Sequence, residues 1–313
     1  MTRAVVSESA NHAASGPFAQ SFKLAILVAA SIVLWWQPLS ATARLAVSSD
    51  AHTYILLVLP LSAALIYCER KRVPSMVSRT GGLGWMALTA ALLLRVFTVL
   101  GTFSENPDAV LSLSMFALVL WWIGSVLVCC GLGTFRALLF PLCFLFLLVP
   151  APHGAVAWIT QTLQYQSALA TELLFRIARV PVARDGVILS IPGLDIEVAT
   201  QCSSIRSSTM LIVITLLLAH LFLHSSWRKV LLVAASIPFA VAKNAVRIFT
   251  IAELGTRVDA AYLDGKLHHR GGILFLAIGV LMVIVLLWIL RRGDVRRTRI
   301  SGPVVDGCPV SQK

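Results

Sequence analysis

The chain has 313 residues, of which 58% are hydrophobic and only 13% are charged, and its mean hydropathy is +0.85. A soluble globular domain is about half apolar, so this composition excludes that class and predicts a polytopic membrane protein. The formal net charge is +12, but the basic residues lie in short segments between apolar runs, as they do in cytoplasmic loops, which argues against nucleic-acid binding.

Eight apolar runs are long enough to cross a bilayer as helices, which takes about 20 mostly apolar residues each. The first begins at Phe22 and is followed by no convincing cleavage site, so we expect a retained span and not a removed signal peptide. We therefore predict an all-α membrane protein with about eight transmembrane helices, at residues 22–41, 51–68, 84–103, 109–131, 134–152, 203–223, 229–252 and 271–290.

Three basic segments set the predicted topology, namely residues 69–72, 227–229 and 291–299. The positive-inside rule places all three in the cytoplasm, and both chain termini with them. The alternate loops then face the outside. One of these, residues 104–108, is acidic and contains no lysine or arginine.

Residues 153–201 are of intermediate polarity and separate the fifth and sixth predicted spans. Residues 156–178 have the apolar spacing of a helix, but polar side chains favour a helix that lies in the membrane interface: Gln161, Gln164, Gln166, Glu172 and Arg176. The β-prone runs of residues 180–198, interrupted by Asp-Gly and Pro-Gly, predict short strands joined by tight turns. On the predicted topology this insert is extracytoplasmic.

These patterns divide the chain into consecutive regions. We expect a disordered cytoplasmic N-terminus at 1–21, a five-span membrane region at 22–152, the extracytoplasmic insert at 153–201, a three-span catalytic core at 202–292 and a basic cytoplasmic tail at 293–313.

A thiol, a guanidinium and an imidazole fall on the outer side of this topology. Cys202 begins the sixth span, Arg247 lies near the outer end of the seventh, and His268 precedes the eighth. Together they suit acyl transfer, since a helix N-terminus and nearby cations favour the nucleophilic thiolate. Histidine can hold the thiol proton and pass it to a leaving amine, while arginine can bind an oxyanion or a peptide carbonyl. Arg206 is the nearest cation on the helix that follows the thiol.

Each of these residues also has an ordinary structural interpretation. Cys202 could be a small residue at a helix start, and Arg206 and Arg247 could extend to the outer headgroups. Arg95, within the third span, could pair inside the bundle. Lys243 shares a helix face with Arg247 by its i,i+4 spacing, which favours internal pairing over substrate contact. The cysteines show no CxxC spacing, so we expect neither a disulfide framework nor a zinc site, and no cofactor.

From Pro150 to Arg292 the chain resembles the exosortase/archaeosortase family of membrane cysteine transpeptidases. The resemblance rests on the order and spacing of four motifs: a Val-x-x-x-Gly-x-x-Ile/Leu-x-x-Pro stretch at residues 182–192, Cys-Ser-Ser-Ile-Arg-Ser at 202–207, Asn-Ala-Val-Arg-Ile at 244–248 and His-His-Arg-Gly-Gly at 268–272. Ser204 stands where the family usually has glycine.

The resemblance implies a Cys-Arg-His active site at the outer face of the cytoplasmic (inner) membrane. Carried onto this chain, the nucleophile is Cys202, the arginine is Arg247 and the histidine is His268, whose spacing to the second glycine of its motif is that of the family. The adjacent His269 is the alternative base. Arg206, Asn244 and His269 are the expected supporting or substrate-binding residues, and no metal is expected.

The resemblance also implies the substrates. These are exported proteins whose C-terminus carries a short motif such as Pro-Glu-Pro, a transmembrane helix and a basic tail. The family cleaves near the motif and passes the new C-terminus to an acceptor, often in connection with exopolysaccharide production; the acceptor here is unknown. Two alternatives remain open: a cysteine hydrolase that uses only water, and a transporter in which Arg95, Lys243 and Arg247 line an anion path.

Overall fold

The computed structural model describes residues 17–73, 81–101, 106–198, 205–259 and 272–300. The chain forms two compact units, Met1–Val156 and Ala157–Lys313. We refer to them as the N-terminal unit and the C-terminal unit.

Within the described ranges the chain forms ten α-helices and three short β-strands. The first six helices are α1 Pro17–Leu34, α2 Trp36–Ser48, α3 Ile55–Glu69, α4 Gly81–Val99, α5 Pro107–Ala137 and α6 Leu139–Phe144, which a 3₁₀ turn at Leu145–Leu148 extends. They are followed by α7 His153–Ile177, the strands β1 Ala183–Asp185, β2 Ile188–Ile191 and β3 Leu194–Glu197, and the helices α8 Ile205–Phe222, α9 Ser226–Arg257 and α10 Gly272–Ile300.

Apolar helices of spanning length dominate the described chain, which confirms the predicted all-α polytopic membrane fold. By length and composition, α4, α5, α8, α9 and the first 21 residues of α10 can each cross a membrane. The number rises to seven if each of two bent helix pairs, one from α1 and α2 and one from Leu139–Leu148 and α7, is a single span. The predicted count of eight is not confirmed, partly because α3 has only 15 residues.

The first predicted span is not one straight helix. It begins earlier than expected, at Pro17, so part of the N-terminus that we expected to be disordered is helical. Its two halves, α1 and α2, are bent by 73° at Trp35. Pro38 explains the break, because proline has no N–H for the Leu34 carbonyl and its ring would clash with that carbonyl in a continuous helix. Restarting the helix at Trp36 places Pro38 in the first turn, where no N–H is required.

The predicted spans at 109–131 and 134–152 need a second correction. Helix α5 covers the first of these runs and continues into the second as far as Ala137, and Gly131 within it has a non-helical backbone with φ 79° and ψ 176°. Glycine tolerates this conformation because it has no Cβ. The rest of the 134–152 run is the short α6 and its 3₁₀ extension, so it does not form a spanning helix of its own.

The three strands form the small antiparallel sheet that the Asp-Gly and Pro-Gly turns predict. They pair in chain order, with Asp185 opposite Ile188 and Ile191 opposite Leu194. The turn glycines have φ values of 61° and 83°, which side chains with a Cβ rarely adopt. Along β2 the burial alternates, so Leu189 and Ile191 both face the interior.

Tryptophan side chains join the helices of the N-terminal unit. Three indole N–H groups donate hydrogen bonds across it, from Trp35 to the Ser114 carbonyl at 2.9 Å, from Trp121 to the Leu27 carbonyl at 3.0 Å and from Trp122 to the Ser31 hydroxyl at 2.9 Å. Two of these acceptors are backbone carbonyls, so the bonds register one helix against the next.

Arg95 of α4 has a structural partner in the same unit. Its Nε donates to the Leu34 carbonyl at 3.1 Å. This is the carbonyl that Pro38 cannot pair with, and a bilayer offers no water to replace the missing donor. Arg95 therefore stabilises the break between α1 and α2.

Candidate active site

The structure describes half of the predicted site. Arg206 lies in the first turn of α8, and Asn244 and Arg247 lie in α9. Cys202, His268 and His269 lie outside the described residues. The Cys-Arg-His arrangement therefore stays a prediction, and the described geometry concerns the elements that adjoin it.

The α9 turn that carries Arg247 points its polar side chains inward. Lys243 and Asn244 are each 1% exposed, and Arg247 is 9% exposed. Lys243 and Arg247 are four residues apart, so they lie on one face of the helix. Arg206, by contrast, lies on the exposed side of α8. Two cations are thus buried in one apolar helix. Burying a cation in a membrane span costs free energy, so such residues usually have a functional or structural role.

Lys243 joins α9 to the first turn of α8. Its Nζ donates to the Ser207 hydroxyl at 2.6 Å, and both residues are buried. Helix α10 closes over the lysine stem at Gly279, where a Cβ would lie 3.1 Å from Lys243 Cδ and 3.1 Å from Leu211 Cδ2. The absence of a side chain at Gly279 thus lets α8, α9 and α10 pack closely around the Lys243 stem.

Asn244 joins α9 to α7. Its Nδ2 donates to the Ser167 hydroxyl at 2.9 Å, and Ser167 is 1% exposed. Within the described part of the chain, no donor reaches Asn244 Oδ1. The amide is therefore held at one end and has an open acceptor at the other.

The sheet carries the chain toward Cys202 and is fixed to α7 at its end. Val198 donates its backbone N–H to the Val187 carbonyl at 3.0 Å and accepts a hydrogen bond from Gln164 Nε2 at 3.0 Å. Val198 belongs to a buried apolar cluster with residues from α7, β2 and α9: Ala168, Leu189 and Ile248. The chain is thus held four residues before Cys202.

A further ion pair links α7 to the first hairpin. Glu172 accepts hydrogen bonds from Arg176 Nη2 at 2.5 Å and from Arg184 Nε at 2.6 Å. Arg184 Nη1 also donates to the Gly186 carbonyl at 3.0 Å. The hydrogen bond to Glu172 raises the pKa of Arg184 above its ordinary value, so this guanidinium stays charged. Glu172 is committed to structure and not to catalysis.

Sequence reasoning missed Gln164 and Ser167 as parts of this arrangement. Both belong to the polar face of α7, three residues apart, which is the spacing of side chains that share one helix face. That signal was present in the sequence, but their partners, Val198 and Asn244, are separated from them by 34 and 77 positions. In the described part of the chain, no group of three or more histidine, cysteine or acidic side chains forms a candidate metal site.

Comparison with protein families gives one match. A family model described as transmembrane exosortase matches residues 35–286, which is most of the chain and includes every predicted site residue. No curated protein and no solved structure matches the chain.

Proposed function

Because the chain belongs to the transmembrane exosortase family, a family of membrane cysteine peptidases and transpeptidases, we propose that it cleaves the C-terminal sorting signal of exported proteins through a thioester at Cys202. The observation that carries this proposal is the family match across the region of the four motifs. The apolar helices support it, since they make the chain a multi-pass membrane protein.

In the proposed reaction the Cys202 thiolate attacks the carbonyl carbon of the scissile peptide bond. The C–N bond breaks as the sulfur–carbon bond of a thioester forms. His268, or His269 in its place, takes the thiol proton and gives it to the departing amine. An amine or hydroxyl of the acceptor then attacks the thioester carbonyl, and the carbon–sulfur bond breaks to release the Cys202 thiolate. The same histidine, now neutral, accepts the proton that the acceptor group loses.

Arg247 is assigned to the developing negative charge. Its guanidinium offers several N–H donors in fixed geometry, so it can stabilise the oxyanion of each tetrahedral intermediate. Its burial supports this role, because low dielectric surroundings strengthen the interaction. Asn244, three residues earlier, is assigned to substrate binding, with Oδ1 as the acceptor for a peptide N–H.

The finer substrate assignment follows the family. The substrates would carry a motif such as Pro-Glu-Pro, a transmembrane helix and a basic tail, and their processing would be tied to exopolysaccharide assembly at the cell surface. Basic segments at the opposite ends of the spans support an active site on the extracytoplasmic side of the inner membrane, with both termini in the cytoplasm.

The thiol assignment is tested by Cys202→Ala. We expect processing of a co-expressed reporter with the motif, helix and basic tail to fall by a factor on the order of 10³ or more, because the nucleophile is lost. The matched control is Cys143→Ala, which removes a thiol from the N-terminal unit and should change nothing. Undiminished processing in Cys202→Ala would overturn the assignment. Product mass then separates transfer, which leaves an adduct, from hydrolysis, which leaves a free carboxyl terminus.

The orientation is tested by labelling. In a variant whose only cysteine is Cys202, a membrane-impermeant maleimide added to intact cells should modify this thiol, because we place it on the outer face. A second variant whose only cysteine is Cys68, beside a basic segment, is the control and should react only after the membrane is opened. The reverse pattern would put the active site in the cytoplasm.

A further inference from the structure

Three buried hydrogen bonds connect α7 and α9 with each other and with the described residues that precede and follow Cys202 in the chain. They join Gln164 to Val198, Asn244 to Ser167 and Lys243 to Ser207. We propose that these bonds form a clamp in which Gln164 and Lys243 are positioning residues. They would hold the two ends, Val198 and Ser207, of the segment that contains Cys202, which we call the nucleophile segment. The proposal deepens the proposed function and rests on it.

The first bond holds the chain before the nucleophile. Gln164 Nε2 donates to the Val198 carbonyl at 3.0 Å, and both residues are buried. Val198 is the last described residue of the insert, and Cys202 follows it by four positions. Because Val198 N–H is also bonded, to the Val187 carbonyl, both backbone polar groups of this residue are fixed.

The second bond holds the chain after the nucleophile. Lys243 Nζ donates to Ser207 Oγ at 2.6 Å, five positions beyond Cys202. Gly279 lets α10 pack against the lysine stem, so the ammonium has little freedom to leave its acceptor. This bond ties the first turn of α8 to the helix that carries Arg247.

The third bond closes the arrangement. Asn244 Nδ2 donates to Ser167 Oγ at 2.9 Å. Asn244 is adjacent to Lys243, and Ser167 is one turn after Gln164, so this bond fixes α9 to α7 close to where each helix holds the nucleophile segment. The two ends of that segment are therefore held to a common frame of two helices.

Packing alone does not account for these side chains. Burying an amide or an ammonium is costly even when it is hydrogen-bonded, and apolar residues of similar size would serve a bilayer-embedded core as well or better. In the described part of the chain no carboxylate pairs with Lys243, so ion pairing does not explain it either. What the bonds supply is fixed geometry, and a displacement of about 1 Å can slow an enzymatic reaction by about 100-fold.

The test compares Gln164→Met and Lys243→Met with their double variant. Methionine keeps the length of each side chain and removes its donor. The matched control is Thr215→Val, since Thr215 is fully buried and, within the described ranges, its hydroxyl bonds inside α8, to the Leu211 carbonyl at 2.7 Å. Melting temperature in detergent verifies that each variant is folded.

The first readout is single-turnover processing of the reporter. Each single variant should slow the reaction by about 10- to 100-fold, while the substrate concentration that gives half the maximal rate is unchanged. The rate of Thr215→Val should stay near that of the wild type. Either change opens the same clamp, so the double variant should be no slower than the slower single one. Effects that multiply would mean that the two residues act independently, and this outcome would overturn the clamp.

The second readout is the pH dependence of Cys202 alkylation by N-ethylmaleimide in proteins that keep only this cysteine. The described cations on the adjoining elements are Arg206 of α8 and Lys243 and Arg247 of α9. The clamp, as proposed, keeps the Cys202 thiol close enough to these cations for them to favour the thiolate. Opening it should therefore move the midpoint up by about one pH unit, toward that of an ordinary thiol. Gln164→Met is the decisive variant for this readout, because it changes no charge, whereas Lys243→Met removes a cation that could shift the midpoint by itself. A profile identical to that of Thr215→Val would reject the clamp.

These readouts separate the two proposals. Retained processing in Cys202→Ala contradicts the proposed function. Loss of processing in that variant, together with wild-type behaviour of Gln164→Met and Lys243→Met, contradicts only the clamp. The alkylation profile needs no substrate, so it decides on the clamp even where the reporter is not processed.

Discussion

In the N-terminal unit, the interhelical hydrogen bonds described above come mainly from indole and guanidinium donors and end mostly on backbone carbonyls. Trp35 bonds to the carbonyl of Ser114, and Arg95 bonds to that of Leu34. In the C-terminal unit, Lys243 and Asn244 of α9 instead donate to side chains, to the hydroxyls of Ser207 and Ser167. Arg228, near the start of the same helix, still donates to a carbonyl, that of Leu290 at 3.2 Å. The contrast is therefore between the N-terminal unit and the part of α9 that adjoins Arg247.

The difference indicates that the two kinds of hydrogen bond serve different purposes, one structural and one functional. A bond to a carbonyl registers one helix against another and satisfies a backbone group that a bilayer would leave unpaired. Bonds between side chains instead hold particular functional groups at particular positions, which is what a reaction requires. We therefore expect changes in the N-terminal unit to affect stability first, and changes around α9 to affect activity first.

The largest contrast should come from two arginines. Arg247→Met should slow reporter processing by about 100- to 1,000-fold with little change in melting temperature, because it removes an oxyanion donor. Arg95→Met should leave processing within a few-fold of wild type. It should cost about 1–3 kcal/mol of unfolding free energy, because the Leu34 carbonyl loses its donor.

Single-turnover kinetics and thermal unfolding in the same detergent measure both effects. Loss of processing in Arg95→Met at an unchanged melting temperature would break the comparison, because Arg95 would then contribute to activity and not to stability. A lower melting temperature in Arg247→Met, with processing close to that of the wild type, would also contradict the comparison.

A smaller effect should appear where the C-terminal unit carries strain outside the clamp. Arg179, two residues after the end of α7, has φ 60°, and the next residue, Val180, donates its backbone N–H to the Phe175 carbonyl at 2.9 Å. Glycine is the usual residue at the position of Arg179 in this helix-ending geometry. Arg179→Gly should raise the unfolding free energy by up to about 1 kcal/mol and leave processing unchanged.

The control for that change lies in the same insert. Gly193 has φ 83° in the turn between β2 and β3, so Gly193→Ala should shift the melting temperature downward. If Arg179→Gly altered the rate of processing instead of the melting temperature, activity in this unit would not be confined to the surroundings of α9.

Much of the fold could be predicted because it depends on local composition. Long apolar runs predicted both ends of α8 and the starts of α9 and α10 within three residues, although α9 and α10 continue beyond their predicted ends into charged sequence. The Asp-Gly and Pro-Gly pairs predicted the small sheet. The family was predicted from motif order and is confirmed by the match. The break at Trp35 also has a local cause in Pro38, a signal that an average over the apolar run conceals.

The sequence by itself determined the class of protein, the family and the positions of its motifs, because apolar length and residue spacing are properties of neighbouring residues. Only the tertiary structure decided that Arg95 supports the Leu34 carbonyl, 61 positions away, and that Lys243 holds Ser207, 36 positions away. Such pairs depend on how each helix is rotated and how closely it packs, as at Gly279. Helical periodicity specifies which face of a helix is polar, but it does not specify which helix that face will contact.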